Sequence, residues 1–214
     1  VDSFDIHNQI VALRKSLNAA ANAHQAVSVV SAGWDPGSDS VVRALLLAMA
    51  PQGITYTNFG PGRSMGHTVA AKAIQGVKDA VSITIPIGEG KHQRDVYIQL
   101  EEGEDLQTVQ QRIISDDYFA HDPINMIAVD SVLPFDTHNH GVLIQREGVA
   151  SGISDQQLSF AMTINNPALT AQIMVSCARA AIRMKASQQY GAFTTIHIPP
   201  IYFVPLDEEQ AIKT

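Results

Sequence analysis

These 214 residues contain one cysteine, one tryptophan and only fourteen basic side chains. With no partner in the chain, Cys177 cannot close an internal disulfide. A disulfide-stapled scaffold is thereby excluded, and a reducing, cytoplasmic setting is the expectation. No apolar run approaches the roughly 20 residues of a membrane span. The opening residues carry neither the basic nor the apolar block of a signal peptide. Lys and Arg are scattered and outnumbered, 14 against 21 acidic residues for a net charge of −7, which argues against a nucleic-acid surface. The rest is ordinary: 45% hydrophobic and 16% charged residues, a mixture that folds. The length suffices to bury a full core, as one large domain or two small ones.

Hydrophobic spacing organises the chain. Ile6, Ile10, Leu13 and Leu17 recur every three or four positions, so residues 7–24 read as a helix. AVSVVSAG, an apolar run closed by Gly33, reads as a buried strand. Residues 41–49 read as a second helix, capped by Ser38 or Ser40, and 54–59 as a further strand. Strands alternating with helices imply a parallel sheet with helical crossovers. VDSFD reads as the end of a strand, so more chain is expected ahead of Val1. Beyond Gly66 the pattern changes. A short helix at 67–74 precedes two alternating strands joined at Gly88-Glu89-Gly90, a hairpin signal. An amphipathic helix (105–114), strands at 124–129, 141–145 and 158–164, a long helix opened by Asn166-Pro167, and an extended tail TTIHIPPIYFVP complete the reading. The expected fold class is α/β plus α+β.

Three places could carry chemistry. The loop Ala32–Gly37 follows a buried parallel strand, where open α/β sheets bind ligands, and it holds Trp34 and Asp35. Asp35 has two readings, a turn residue before Pro36 or a ligand carboxylate. With Asp5 it would put two carboxylates at one crevice, suited to an ammonium group or a positioned water. The second place is the hairpin. If Glu89 centres the turn, Thr84 lies opposite Arg94, and Arg94 shares its face with Val96, Ile98 and Leu100. A guanidinium beside a hydroxyl on an apolar face is either a carboxylate clamp or half of a structural salt bridge. Third, Asp136, His138 and His140 alternate as in a metal site, but no further ligand stands at useful spacing and no metal is expected. NFGPGRSMGH has three glycines, at 60, 62 and 66, yet matches neither the dinucleotide nor the Walker fingerprint. His67, His92 and His197 carry no signal of their own.

Taken together, VDSFDIH, SAGWDPG, NFGPGRSMGH, HNHGV, INNPALTAQ and GAFTTIHIPP resemble the meso-diaminopimelate dehydrogenases, in order and along the whole chain. The nearest resemblance is to members with broadened activity on other D-amino acids, such as that of thermophilic bacteria. The resemblance implies a cytoplasmic homodimer that uses NADP to oxidise the D-centre of meso-2,6-diaminopimelate. The products are L-2-amino-6-oxopimelate and ammonia, and the reverse amination serves lysine biosynthesis. It further implies the C-terminal part of a doubly wound Rossmann-like domain at 1–62 and a mostly antiparallel substrate and dimerisation domain at 63–165. Residues 166–214 would pack back across both. Roughly ninety residues bearing the glycine-rich turn would precede this chain.

Carried over residue by residue, the resemblance makes Asp5 and Asp35 the acidic pair at the reacting amino group. Phe59, Met65 and Gly66 line the substrate, while Thr84, Arg94, His140 and Asn166 hold its distal end. Ala32, Gly33, Trp34 and Pro36 face the cofactor, with Trp34 also walling the substrate from solvent. Phe59 stands where other members have Trp. Arg63 replaces an expected apolar residue, and it either alters specificity or points to solvent. A non-catalytic amino-acid-binding module is the alternative, with a metal hydrolase at His138 and His140 a distant third.

Overall fold

A computed structural model describes residues 1–120, 123–136 and 139–213. Its contacts group into two units, Val1–Pro51 with Pro167–Thr214, and Gln52–Asn166.

In the first unit, residues 1–6 form no strand, although two backbone bonds tie Asp2 to the sheet: its N–H reaches the Val29 carbonyl and its carbonyl accepts from Ala32. A 3-10 turn at His7–Gln9 leads into helix α1, Ile10–Ala23. Strand β1 is only Val27–Val29. The apolar run around it is explained by burial, with Val29, Val30 and Ala32 fully enclosed. Helix α2, Ser38–Met49, starts three residues before its hydrophobic periodicity does. Neither Ser38 nor Ser40 is its N-cap. Gly37 is, at φ 148°, with its N–H donating to Ser40 Oγ at 3.2 Å. A Cβ there would stand 1.7 Å from the Gly33 carbonyl oxygen, so the loop can turn this tightly only at glycine.

The second unit opens with β2, Gln52–Phe59, which corrects the expected parallel alternation. It runs antiparallel to β7 (Asn139–Ala150), from Gln52 opposite Val149 to Phe59 opposite Val142. The short alternation of Ile54 and Tyr56 with Thr55 and Thr57 does not specify a partner, and the backbone bonds to β7 do. Residues 52–62 accordingly belong with the second unit. Then follow β3 (Gly62–Arg63), α3 (Met65–Lys72), β4 (Val77–Gly88), β5 (Lys91–Leu100), α4 (Leu106–Ile114) and β6 (Ile124–Ala128). After them come β7 (Asn139–Ala150) and β8 (Ile153–Asn165). One sheet runs β3-β4-β5-β6, with β6 parallel to β5, and the other runs β2-β7-β8, all antiparallel. Asp105 caps α4 by accepting from the Thr108 N–H at 3.0 Å. Val109 and Ile113 of that helix pack with Val96 and Ile98 of β5 and with Phe119, all essentially inaccessible. Each such side chain contributes about 1.5–3 kcal/mol of burial.

Helix α5, Asn166–Ala186, has Pro167 in its first turn and returns the chain to the first unit. Its Cys177, Ala180 and Met184 pack on Val29, Ala32 and Ile198. The tail is not extended as expected. After β9, Gly191–Phe193, parallel to β1, it folds into two 3-10 turns and α6, Glu208–Ile212. Arginines of α5 hold it in that shape: Arg179 donates to the Phe203 carbonyl, and Arg183 to those of Ile201 and Val204. The sequence pattern could not show these long-range bonds.

Candidate functional site

The first unit presents the loop after β1. Its backbone is locked to the start of α2, because the Gly33 and Trp34 carbonyls accept from the Ser38 and Asp39 N–H groups at 3.1 and 2.9 Å. Ala32, Gly33, Trp34 and Pro36 are all buried. Asp35 forms an ion pair with Arg43 of α2, and His7 Nε2 lies 3.7 Å from its other oxygen. Asp39, in the first turn of α2, is 1% exposed. Burial first, and then the neighbouring Asp35 charge, push its carboxyl up to about 7, against the opposing pull of Arg43. Asp5, by contrast, is exposed, and no bond joins it to Asp35 among the described residues. The acidic side chain that is tied in place is Asp2, whose Oδ1 accepts from the Ser31 and Phe4 N–H groups.

Beside this loop lies a crevice of about 260 Å³, lined among others by Ser31, Pro36, Gly37, Ser40 and Thr195. Ser31 Oγ is buried there without a hydrogen-bond partner among the described residues. A flat, polar-edged ring fits such a space, since a cavity of about 150 Å³ already admits benzene. The residues at the end of β1 could hold such a ring. A glycine-rich phosphate turn is not in the sequence.

The second unit carries the β4–β5 hairpin, and its register is the one the turn implied, with Thr84 opposite Arg94. Arg94 is 7% exposed and Thr84 1%. One Arg94 nitrogen donates to Thr84 Oγ1 and the other lies 3.0 Å from His92 Nε2. Because a guanidinium only donates, both partners act as acceptors, and the fork is held in a fixed plane. Gly62 pairs with Thr84 across β3 and β4. A Cβ on Gly62, at φ 153°, would come within 2.4 Å of His140 Cα, so its lack of a side chain lets Thr84 and His140 share one neighbourhood. His140 is buried, with Nδ1 donating to the Gly141 carbonyl at 2.8 Å. Asn139 of β7 pairs with Asn165 of β8, and Asn166 follows directly. Phe59 meets the His92 ring edge-on at 6.3 Å. Met65 and Gly66 open α3, where a Cβ on Gly66 would lie 3.2 Å from the Tyr118 ring.

Arg63 does not point to solvent. Its side chain is 11% exposed and paired with Asp136. No group of three metal-ligating side chains occurs among the described residues, and His138 lies outside them. Sequence reasoning missed His7, Asp39, Arg43 and His92. His92 had one signal, its place two residues from Arg94 on the same strand face. Arg43 and Asp39 had another, their spacing of four on a helix.

The profile of the family described as "Diaminopimelic acid dehydrogenase C-terminal domain" matches residues 33–166. The meso-diaminopimelate D-dehydrogenase of Bacteroides fragilis is 53% identical over 99% of this chain and 70% of its own length. That of Corynebacterium glutamicum is 30% identical over 96% of this chain and 70% of its own. Relatives from Acetivibrio thermocellus and Ureibacillus thermosphaericus reach 34%. The B. fragilis enzyme is markedly more similar than these two. Among solved structures, C. glutamicum DAP dehydrogenase in complex with DAP superposes with a TM-score of 0.89 at 29% identity, over 100% of this chain and 72% of that one. An engineered D-amino acid dehydrogenase bound to NADP+ gives 0.85 at 28%, over 99% and 72%. A family profile over more than half of the chain, and relatives matched along nearly all of it, lead to one conclusion: the chain belongs to the meso-diaminopimelate dehydrogenase family.

Proposed function

We propose that the buried Arg94–Thr84 pair anchors one carboxylate of the substrate, and that Asp35 receives the ammonium group at the reacting end. The reaction is NADP-dependent oxidative deamination of the D-centre of meso-2,6-diaminopimelate to L-2-amino-6-oxopimelate and ammonia, and its reverse. The observation that carries the clamp is the register of β4 and β5, which sets a planar two-pronged donor on a strand face beside a hydroxyl. Such a fork matches a carboxylate, and fixing one end of a long zwitterion presents the other in a single orientation. His140 and Asn166 add hydrogen bonds to the anchored end, with Phe59, Met65 and Gly66 lining it.

At the reacting end, Asp35 and Asp5 hold the ammonium and then orient the water that hydrolyses the imine, while Trp34 keeps bulk solvent away. Ala32, Gly33, Trp34 and Pro36 seat the nicotinamide, for which the crevice beside Pro36 and the buried Ser31 hydroxyl offer room and a polar contact. NADP+, when bound, supplies the hydride acceptor. A cytoplasmic homodimer belongs to the same reading. The dimer is supported by Ile54 and Leu143, both on the β2-β7-β8 sheet and 49% and 37% exposed.

Steady-state reduction of NADP+ by meso-diaminopimelate, with ammonia released in equal amount, is the test of the reaction. Tight binding of the amino acid without turnover would favour an amino-acid-binding module instead. Light scattering at twice the monomer mass checks the dimer.

A further inference from the structure

Asp35 is already engaged. Its carboxylate is paired with Arg43, so that the two form a neutral unit with little attraction for an ammonium group. Asp39 lies in the same place with the opposite problem. It is buried, and neither of its oxygens has a hydrogen-bond partner among the described residues. Arg43 stands four residues beyond Asp39 on α2, the spacing at which an acidic and a basic side chain meet on a helix surface. Yet its guanidinium goes to Asp35. Two carboxylates thus stand near one cation, and only Asp35 is paired with it. When Asp39 is neutral, Arg43 stays on Asp35. When Asp39 is ionised, the cluster carries one net negative charge and Arg43 has a second carboxylate one turn away. The N-terminal turn of α2 favours that ionised form.

We infer that Asp39 is a positioning residue: its carboxylate draws Arg43 off Asp35 and so frees Asp35 for the substrate's ammonium group. The inference rests on the reading of Asp35 given above. Other ionisable groups of the neighbouring elements have partners of their own. His7 lies against Asp35, Arg14 of α1 donates to the Ala192 carbonyl, and His197 Nδ1 is held by Thr194. Burial and the Asp35 charge bring Asp39's ionisation to about 7, inside the working range of a cytoplasmic enzyme.

The experiment is the pH dependence of KM for meso-diaminopimelate in the full-length enzyme, parent against Asp39→Asn, Arg43→Gln and Asp35→Asn, with folding checked by circular dichroism. A group ionising near 7 is about one-tenth charged at pH 6 and about nine-tenths at pH 8, so the parent KM should fall about tenfold over that interval. Asp39→Asn should keep a high, flat KM. Arg43→Gln should do the opposite, a low and flat KM, because the competing cation is gone. His7 is present in every variant and so cannot produce this contrast. A parent-like profile in Asp39→Asn would overturn the inference alone. So would a pH-dependent KM in Arg43→Gln, the readout that decides if Asp39→Asn fails to fold. Parent-like kinetics in Asp35→Asn would instead remove the reading of Asp35 itself, and the inference with it.

Discussion

Replacing Arg94 by alanine tests the clamp most directly. The side chain is 7% exposed, so whatever it binds is also largely withdrawn from water. A charge-assisted hydrogen bond contributes about 1.5–3 kcal/mol, and a fork can make two to a carboxylate. Water entering the vacated space recovers part of this, which places the expected loss near the lower sum, about 3 kcal/mol. At about 1.4 kcal/mol per factor of ten, KM for meso-diaminopimelate should rise on the order of a hundredfold. The effect on kcat should be smaller, since the interaction is made in ground and transition states alike. Arg94→Lys keeps the charge but loses the planar fork, and should recover only part of the affinity. Initial rates of NADPH formation against substrate concentration give both constants. Removing Arg94 also takes the donor from Thr84 and His92, so a thermal melt must accompany the kinetics. A KM within about threefold of the parent, in a protein that melts normally, would refute the clamp and leave Arg94 a structural residue.

Three further outcomes are expected. Asp39 ionises at about 7 in the folded chain against an ordinary 3.8, so its neutral form stabilises the fold below pH 3.8, and that contribution drains away as pH rises towards 7. The full interval corresponds to roughly 4 kcal/mol. Urea unfolding should therefore show Asp39→Asn more stable than the parent at pH 8, and a steeper loss of parent stability between pH 4 and 7. Gly62→Ala would force a Cβ to 2.3 Å from the Asn139 carbonyl oxygen, at a φ that side chains avoid. It should cost more than about 2 kcal/mol on a denaturation curve and raise KM, by pushing His140 away from Thr84. Burial pushes the Cys177 thiol up to about 11, so iodoacetamide at pH 8 should label it only once the protein unfolds. Rapid labelling of the native protein would contradict its burial.

The hairpin shows how much was legible beforehand. Alternating residues, a Gly-Glu-Gly turn and a side-chain period of two are local properties, and they fixed the Thr84–Arg94 register without any tertiary information. Helices α1 and α4 were legible for the same reason, through stripes of apolar residues, and α5 through its opening Asn166-Pro167. Strand β2 was not, because a short alternating segment does not specify its partner. Only the fold set it antiparallel to β7. The tail was misread as extended because what bends it is the set of carbonyls taken by Arg179 and Arg183, about twenty positions away. At the site, the sequence by itself determined the residue types and the loop that bears Asp35, and with them the family. The pairing of Asp35 with Arg43, the burial of Asp39, the contact of His92 with Arg94, and the pairing of Arg63 with Asp136 were decided by tertiary structure. Burial sets the cost of a charge, and burial belongs to the assembled fold rather than to any stretch of the chain.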